Sequence, residues 1–271
     1  MPERVHLIVG GYPPGSAAGH DMDYARLRLL ELLREHDDIV TTVASDFNNI
    51  ESGLQGTSLL LTYVAGPYPD EASVSVIDTW LEDGGRWFGL HGTSGGKAAR
   101  MLDRRGRTMV KLAHHHTLGS FFLNHPPLRR FGVAVTNQNH PLTHDLPDQF
   151  DVDDELYLIE VLGSAEILLT TDMPQDPSPP GFGFHYERDT SIQADGRTRV
   201  LGYEKSVGNG KVAYVALGHC HSPITNSQPF VDDSIAAGGH TPATFRGPWE
   251  TAEFAQLLSN AINWGVARSA A

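Results

Sequence analysis

Two short stretches gather side chains that could do chemistry. Trp87–His91 reads as an apolar strand that ends on a histidine and empties into Gly92-Thr93-Ser94-Gly95-Gly96. Lys211–Leu217 reads as a second strand, followed by His219-Cys220-His221. His20 and Asp21 lie in the connection after the first apolar run, at the same end of a strand. In a parallel sheet with helices between its strands, ligands sit outside the carboxyl ends of the strands. Imidazoles converging there, with a carboxylate or water, suit Zn²⁺ or another borderline divalent metal. Such a metal supports acid–base or hydrolytic work. His91, His219, His221 and His20 are the candidate metal ligands. A strand-end histidine can equally cap backbone carbonyls, so convergence is what separates the two readings.

The glycine-rich turn after His91 admits further chemistry. A phosphate loop needs glycine five residues before its Gly-Lys pair and Ser or Thr after it. Here those positions hold His91 and Ala98, so that reading fails. Gly92-Thr93-Ser94-Gly95-Gly96 does satisfy the Gly-x-Ser-x-Gly pattern of a serine nucleophile elbow, which sits between a strand and a helix. Ser94 is thus a candidate nucleophile, with His219 following in a suitable chain order. Against it, the strand ends three residues before Ser94.

Asp153-Asp154-Glu155 leads into Leu156-Tyr157. A carboxylate facing histidines can act as a general base or orient an imidazole, so Glu155 joins His91, His219 and Ser94 as a catalytic candidate. His20, Asp21, Thr93, His125, Tyr157 and Trp249 are the candidate substrate-binding residues, with His185 and Tyr186 as further possibilities. Successive histidines in His114-His115-His116 point in different directions, so at most one or two can serve a single site. Cys220 is the only cysteine, which excludes an intramolecular disulfide and fits a reducing, cytoplasmic compartment.

The elements that must position these groups fall into two halves. Val5–Gly10, Ile39–Val43, Ser58–Val64 and Trp87–His91 read as strands. Met22–Glu35 reads as an amphipathic helix, and a second helix begins after the N-cap Asp70 and closes at Gly84-Gly85. This alternation predicts a parallel sheet covered by helices. Beyond Met101, Phe131–Thr136, Leu156–Val161, Ile167–Thr171, Val200–Glu204 and Lys211–Leu217 read as strands with hairpin-like links, an antiparallel extension. Asp172–Phe184 and Ser222–Pro248 are long loops expected to wall a ligand pocket. Phe254, Leu257, Leu258, Ala261 and Ile262 stripe one face of a last helix. No linker divides the chain, so residues 1–271 form one expected domain. A net charge of -13 argues against nucleic acid and anionic membranes, and no apolar run is long enough to span a bilayer.

The layout of strand, elbow and late strand-end histidine resembles the class I glutamine amidotransferase-like superfamily, a flavodoxin-like three-layer sandwich. Gly89-Leu90-His91 stands at its elbow and His219-Cys220-His221 at its late motif, so His91 replaces the nucleophilic cysteine and His221 the triad acid. Within that superfamily the chain resembles the ThuA-like, trehalose-utilisation family. The resemblance rests on WLEDGGRWFGLHG, on Leu118–Pro127, on Asn139–Tyr157, on Gly208–Pro223 and on the closing LLSNAINWGV. It implies a role in carbohydrate metabolism, acting on trehalose or a keto-disaccharide, without glutaminase activity. Glu155 and Tyr157 fall in the family's Asp-Glu-Leu-Tyr motif. The segment after the elbow departs from the family's usual Leu-His-Ser-Gly-His. Three functions follow: a metal-assisted sugar-processing enzyme, a non-catalytic sugar-binding or regulatory module, or a serine hydrolase using Ser94. The expected partner is a small-molecule sugar, with a homo-oligomer compatible.

Overall fold

The computed structural model describes residues 2–11, 13, 16, 19–102 and 105–267. Its first half alternates strictly: β1 (Glu3–Gly11), α1 (Met22–Arg34), β2 (Ile39–Ala44), α2 (Ile50–Leu54), β3 (Leu59–Ala65), α3 (Glu71–Glu82) and β4 (Arg86–Leu90). Local chemistry explains the helices. The Asp21 carboxylate accepts from Tyr24 N–H and starts α1, which buries Met22, Ala25, Leu29 and Leu33. Asp70 accepts from Ser73 N–H and starts α3, which buries Val74, Ile77 and Leu81. Residues 5–11 of β1 and 59–64 of β3 are buried and, His6 and Thr62 apart, apolar, as strands covered on both faces must be.

The second half comprises β5 (Lys97–Arg100), β6 (Arg107–Val110), α4 (His114–Leu118), β7 (Ser120–Asn124), β8 (Arg129–Val135), β9 (Gln149–Asp154), β10 (Leu158–Val161), β11 (Glu166–Asp172), β12 (Thr198–Val207), β13 (Gly210–Val215) and α5 (Ala252–Val266). One nine-stranded sheet crosses both halves in the order β2-β1-β3-β4-β13-β12-β11-β8-β9. Every pairing from β2 to β13 is parallel. Every pairing from β13 to β9 is antiparallel. This is the mixed α/β sheet that the periodicity predicts. Helix α1 packs on α5, and α3 packs on α2 and α4, so a helical layer lies on each face. β13 inserts beside β4, which brings the segment after Val215 next to the segment after Leu90.

Three local expectations need correction. No helix follows the elbow. His91–Ser94 forms one 3-10 turn, and the next elements are the two strands of the β5–β6 hairpin. The expected strand Leu156–Val161 begins only at Leu158, because Glu155–Tyr157 is an irregular link between β9 and β10. β10 leaves the main sheet and pairs with β7, a strand the periodicity does not isolate.

Candidate metal centre

The centre gathers segments that follow β1, β4, β13 and β9, of which β4 and β13 are neighbours in the sheet. His91 directly follows β4 and takes φ = 42°, a left-handed conformation that a residue with a Cβ rarely adopts. Its carbonyl is held by the Tyr214 hydroxyl at 2.7 Å. Gly92 lets the turn close against β3, since a Cβ there would lie 2.5 Å from Val64 O. His219 follows β13 after Gly218, whose carbonyl accepts from both Tyr63 Oη and Trp249 Nε1. His20 lies just before the Asp21 cap of α1, and Glu155 directly follows β9.

These four residues converge. One ligand atom from each of His20, His91, Glu155 and His219 lies within 4.8 Å of all the others. His91 Nε2 and His219 Nδ1 stand 3.4 and 3.3 Å from Glu155 Oε2, and His20 Nε2 stands 4.0 Å from it. His91 Nε2 and His219 Nδ1 are buried and have no hydrogen-bond partner among the described residues. Their other nitrogens are committed. His91 Nδ1 donates to Ala216 O at 2.7 Å. His221 Nε2 faces the Pro242 carbonyl at 2.9 Å and must carry its proton there. His221 Nδ1 therefore accepts, and His219 Nε2 donates to it at 3.1 Å. Both tautomers are fixed with the bare lone pair aimed at the Glu155 carboxylate.

A donor set of this kind fits a metal. Ligands about 2.05 Å from a tetrahedral Zn²⁺ lie about 3.4 Å from each other. The His91–Glu155 and His219–Glu155 separations match that edge. Burial lowers the pKa of His219, which keeps the imidazole neutral and able to ligate. Burial pushes the Glu155 carboxyl up, but the imidazole of His125 beside it holds it well below the usual carboxylate range. Its second oxygen, Oε1, is bound by Gln228 Nε2 and lies 3.3 Å from His125 Nδ1. Tyr157 stacks on His91 with centroids 3.9 Å apart and shields it.

The other candidates lie elsewhere. The Ser94 hydroxyl is fully buried and bonded to Tyr214 Oη at 2.7 Å, so no imidazole or carboxylate activates it. Thr93 Oγ1 donates to Thr62 O and fastens the elbow to β3 instead of facing a ligand. His221 has both nitrogens engaged, so it orients His219 and does not ligate. Asp21 caps α1 with one oxygen and pairs with Arg246 through the other at 2.7 Å. Trp249 is a buried anchor for Gly218. His114 and His115 bond to carbonyls of Thr93, Ser94 and Gly95 and brace the turn from behind. Cys220 is buried, which pushes its thiol up to about 12 and leaves it inert at neutral pH. Tyr186 donates to Asp176, away from the cluster. His185 fixes its loop through a backbone N–H bond to Arg107 O.

Two residues of the site escape a reading of the sequence. Asp154 is fully buried and accepts from the backbone N–H groups of Gly218, His219 and Glu155, locking β9 to the His219 segment. Burial raises its pKa to about 7 against those donors. Its place at the end of a strand, one residue before Glu155, is a signal, but an acidic run reads equally as a solvated turn. Gln228 lies in the long loop after His221, where nothing in the sequence distinguishes it. The loop expectation itself has partners in the structure: Gln228 reaches Glu155, and Phe182 from the other long loop packs edge-on against His125.

No curated protein matches the chain. Two solved structures described as ThuA-like are similar to it. One, from Bacteroides uniformis, is 17% identical with a TM-score of 0.63, covering 99% of this chain and 93% of its own. The other, from Parabacteroides merdae, is 14% identical with a TM-score of 0.59, covering 98% and 91%. A β-galactosidase from Rahnella sp. R3 shares part of the fold, at 16% identity and a TM-score of 0.52, over 79% of this chain but 28% of the enzyme. These likenesses fit a flavodoxin-like fold. The sequence profile of the ThuA family, described as trehalose utilisation, matches residues 15–239, and the chain therefore belongs to the ThuA family.

Proposed function

We propose that the protein is a metal-assisted sugar-processing enzyme acting on trehalose or a keto-disaccharide derived from it. The observation that carries this reading is the pair of orphaned lone pairs on His91 and His219, each at a tetrahedral edge from Glu155 Oε2. His91, His219 and Glu155 would hold a divalent cation, Zn²⁺ being the best match for this set. When bound, it would polarise a sugar oxygen or a water. His20 is the most exposed of the four and the farthest from the carboxylate, so it borders the remaining corner and can hold or move a proton at Nε2. Gln228 holds Oε1, with His125 Nδ1 3.3 Å from it, which would leave Oε2 as the oxygen offered to a metal. Glutaminase chemistry needs a thiolate at the elbow, and His91 stands there.

The four residues are at most 8% exposed, so a sugar reaches them only when the covering loops move. The same burial favours one other reading, a non-catalytic sugar-binding module in which four protein donors saturate the metal. A turnover screen of the Zn²⁺-loaded protein with trehalose and 3-keto-glycosides separates the two. Product formation that is lost in His20→Ala supports the enzyme. Stoichiometric metal with sugar binding and no turnover supports the module.

A further inference from the structure

The two edges of the nine-stranded sheet are built differently. The β9 edge carries Asp151 and Asp153, the latter paired with Arg130. Charges on an edge strand resist pairing with another chain. The β2 edge, Ile39–Ala44, carries no charge and no proline, and five of its six residues are β-branched. Val40 and Val43 are 42% and 48% exposed. This edge has the chemistry of a strand that is meant to be paired.

Helix α1 adds a second, independent feature. Asp23, Leu27, Leu30 and Arg34 follow the i, i+4, i+7, i+11 spacing of one helical stripe. Leu27 is 55% exposed, large for a leucine. Arg26, on the same side, reaches Val9 O and the Ser45 hydroxyl just beyond β2, so this side of α1 is turned toward the β2 edge. On its far side, α1 packs on α5. The stripe is acidic at one end, where Asp23 also pairs with Arg26 at 3.0 Å, basic at the other and apolar between at Leu27 and Leu30. Its two charges and its two leucines share one midpoint along the helix. Such a pattern complements itself under a twofold axis: Asp23 meets the partner subunit's Arg34, and Leu27 meets the partner subunit's Leu30.

We propose that the β2 edge and the α1 stripe form the isologous interface of a homodimer. The two β2 strands pair antiparallel across the twofold, so the sheets of both copies become continuous, and the two α1 helices run antiparallel beside each other on one face. The second copy is the occupant because the order of charges and leucines along α1 complements itself under a twofold axis. This interface is independent of the metal centre, so either reading can fail without the other.

Sedimentation velocity of the full chain, from low to high micromolar concentration, tests it. The wild type should sediment as a dimer. Val43→Lys, which adds a charge to the paired edge, should sediment as a monomer with an unchanged far-UV circular dichroism spectrum; Val40→Lys provides the same test should Val43→Lys not fold. Asp23→Arg and Arg34→Asp should each weaken the dimer, and the double variant should recover it. A monomeric wild type, an edge-lysine variant that remains dimeric, or a double variant no more dimeric than its single parents would overturn the proposal.

Discussion

His221 Nδ1 accepts a hydrogen bond from His219 Nε2 at 3.1 Å, while His221 Nε2 donates to Pro242 O. This chain of two imidazoles and a carbonyl fixes which nitrogen of His219 is bare. His221 therefore orients His219 and has no nitrogen left to offer a cation. Removing such an orienting partner typically lowers metal affinity by about 10–100-fold. His221→Ala should show that loss in a competitive chelator titration. An unchanged affinity would show that the tautomer of His219 needs no such support.

Glu155 concentrates the negative charge of the centre. Glu155→Gln keeps the shape and the contact with Gln228 but removes the anionic donor. Metal affinity should fall steeply, and turnover of a verified sugar should fall with it. If turnover persists at wild-type level with metal still bound, Glu155 is not a ligand. Collapse of the far-UV spectrum would instead mark the carboxylate as a folding requirement.

Much of the fold was legible because burial leaves a period in the sequence. The runs that became β1, β3 and β4 are mostly apolar, and α1, α3 and α5 keep a helical stripe with recognisable caps. The convergence of His91 with His219 was legible for a topological reason: both end strands, and β13 inserts beside β4. Ser94 was misleading because a five-residue pattern carries no register, and the hydroxyl points at Tyr214. His221 looked like a ligand because spacing cannot show that both its nitrogens are occupied. Gln228 could not be found at all, since its contact with Glu155 depends on how a long aperiodic loop closes.

Ser94→Ala offers a direct check on the serine hydrolase reading. The hydroxyl bonds only to Tyr214 Oη and, at 3.4 Å, to His91 O. Stability should drop by about 1 kcal/mol, the net worth of an ordinary hydrogen bond. Sugar turnover should be nearly unchanged, and a fluorophosphonate should not label the wild type. Stoichiometric labelling of Ser94 would restore the nucleophile.

Glu204 predicts how the fold responds to acid. Burial pushes its carboxyl up, but His140, Lys211 and Trp264 hold it down to about 2 from an ordinary 4.5. A depressed carboxylate contributes stability above its unfolded pKa and loses that contribution as pH falls through the folded value. Stability should therefore decline between about pH 5 and pH 2, by an amount on the order of 2–3 kcal/mol from this group. Glu204→Gln should be less stable at neutral pH and show a flatter decline. Parallel curves for the two proteins in chemical denaturation at several pH values would contradict the assignment.

The central claim is that His91, His219 and Glu155 form a metal site. Metal content measured by inductively coupled plasma mass spectrometry tests it most directly. The wild type, loaded with Zn²⁺ and then dialysed exhaustively, should retain about one ion per chain, as a single tetrahedral site requires. The His91→Ala/His219→Ala double variant, folded by circular dichroism, should retain almost none. A wild type that retains no more metal than the folded double variant would contradict the account.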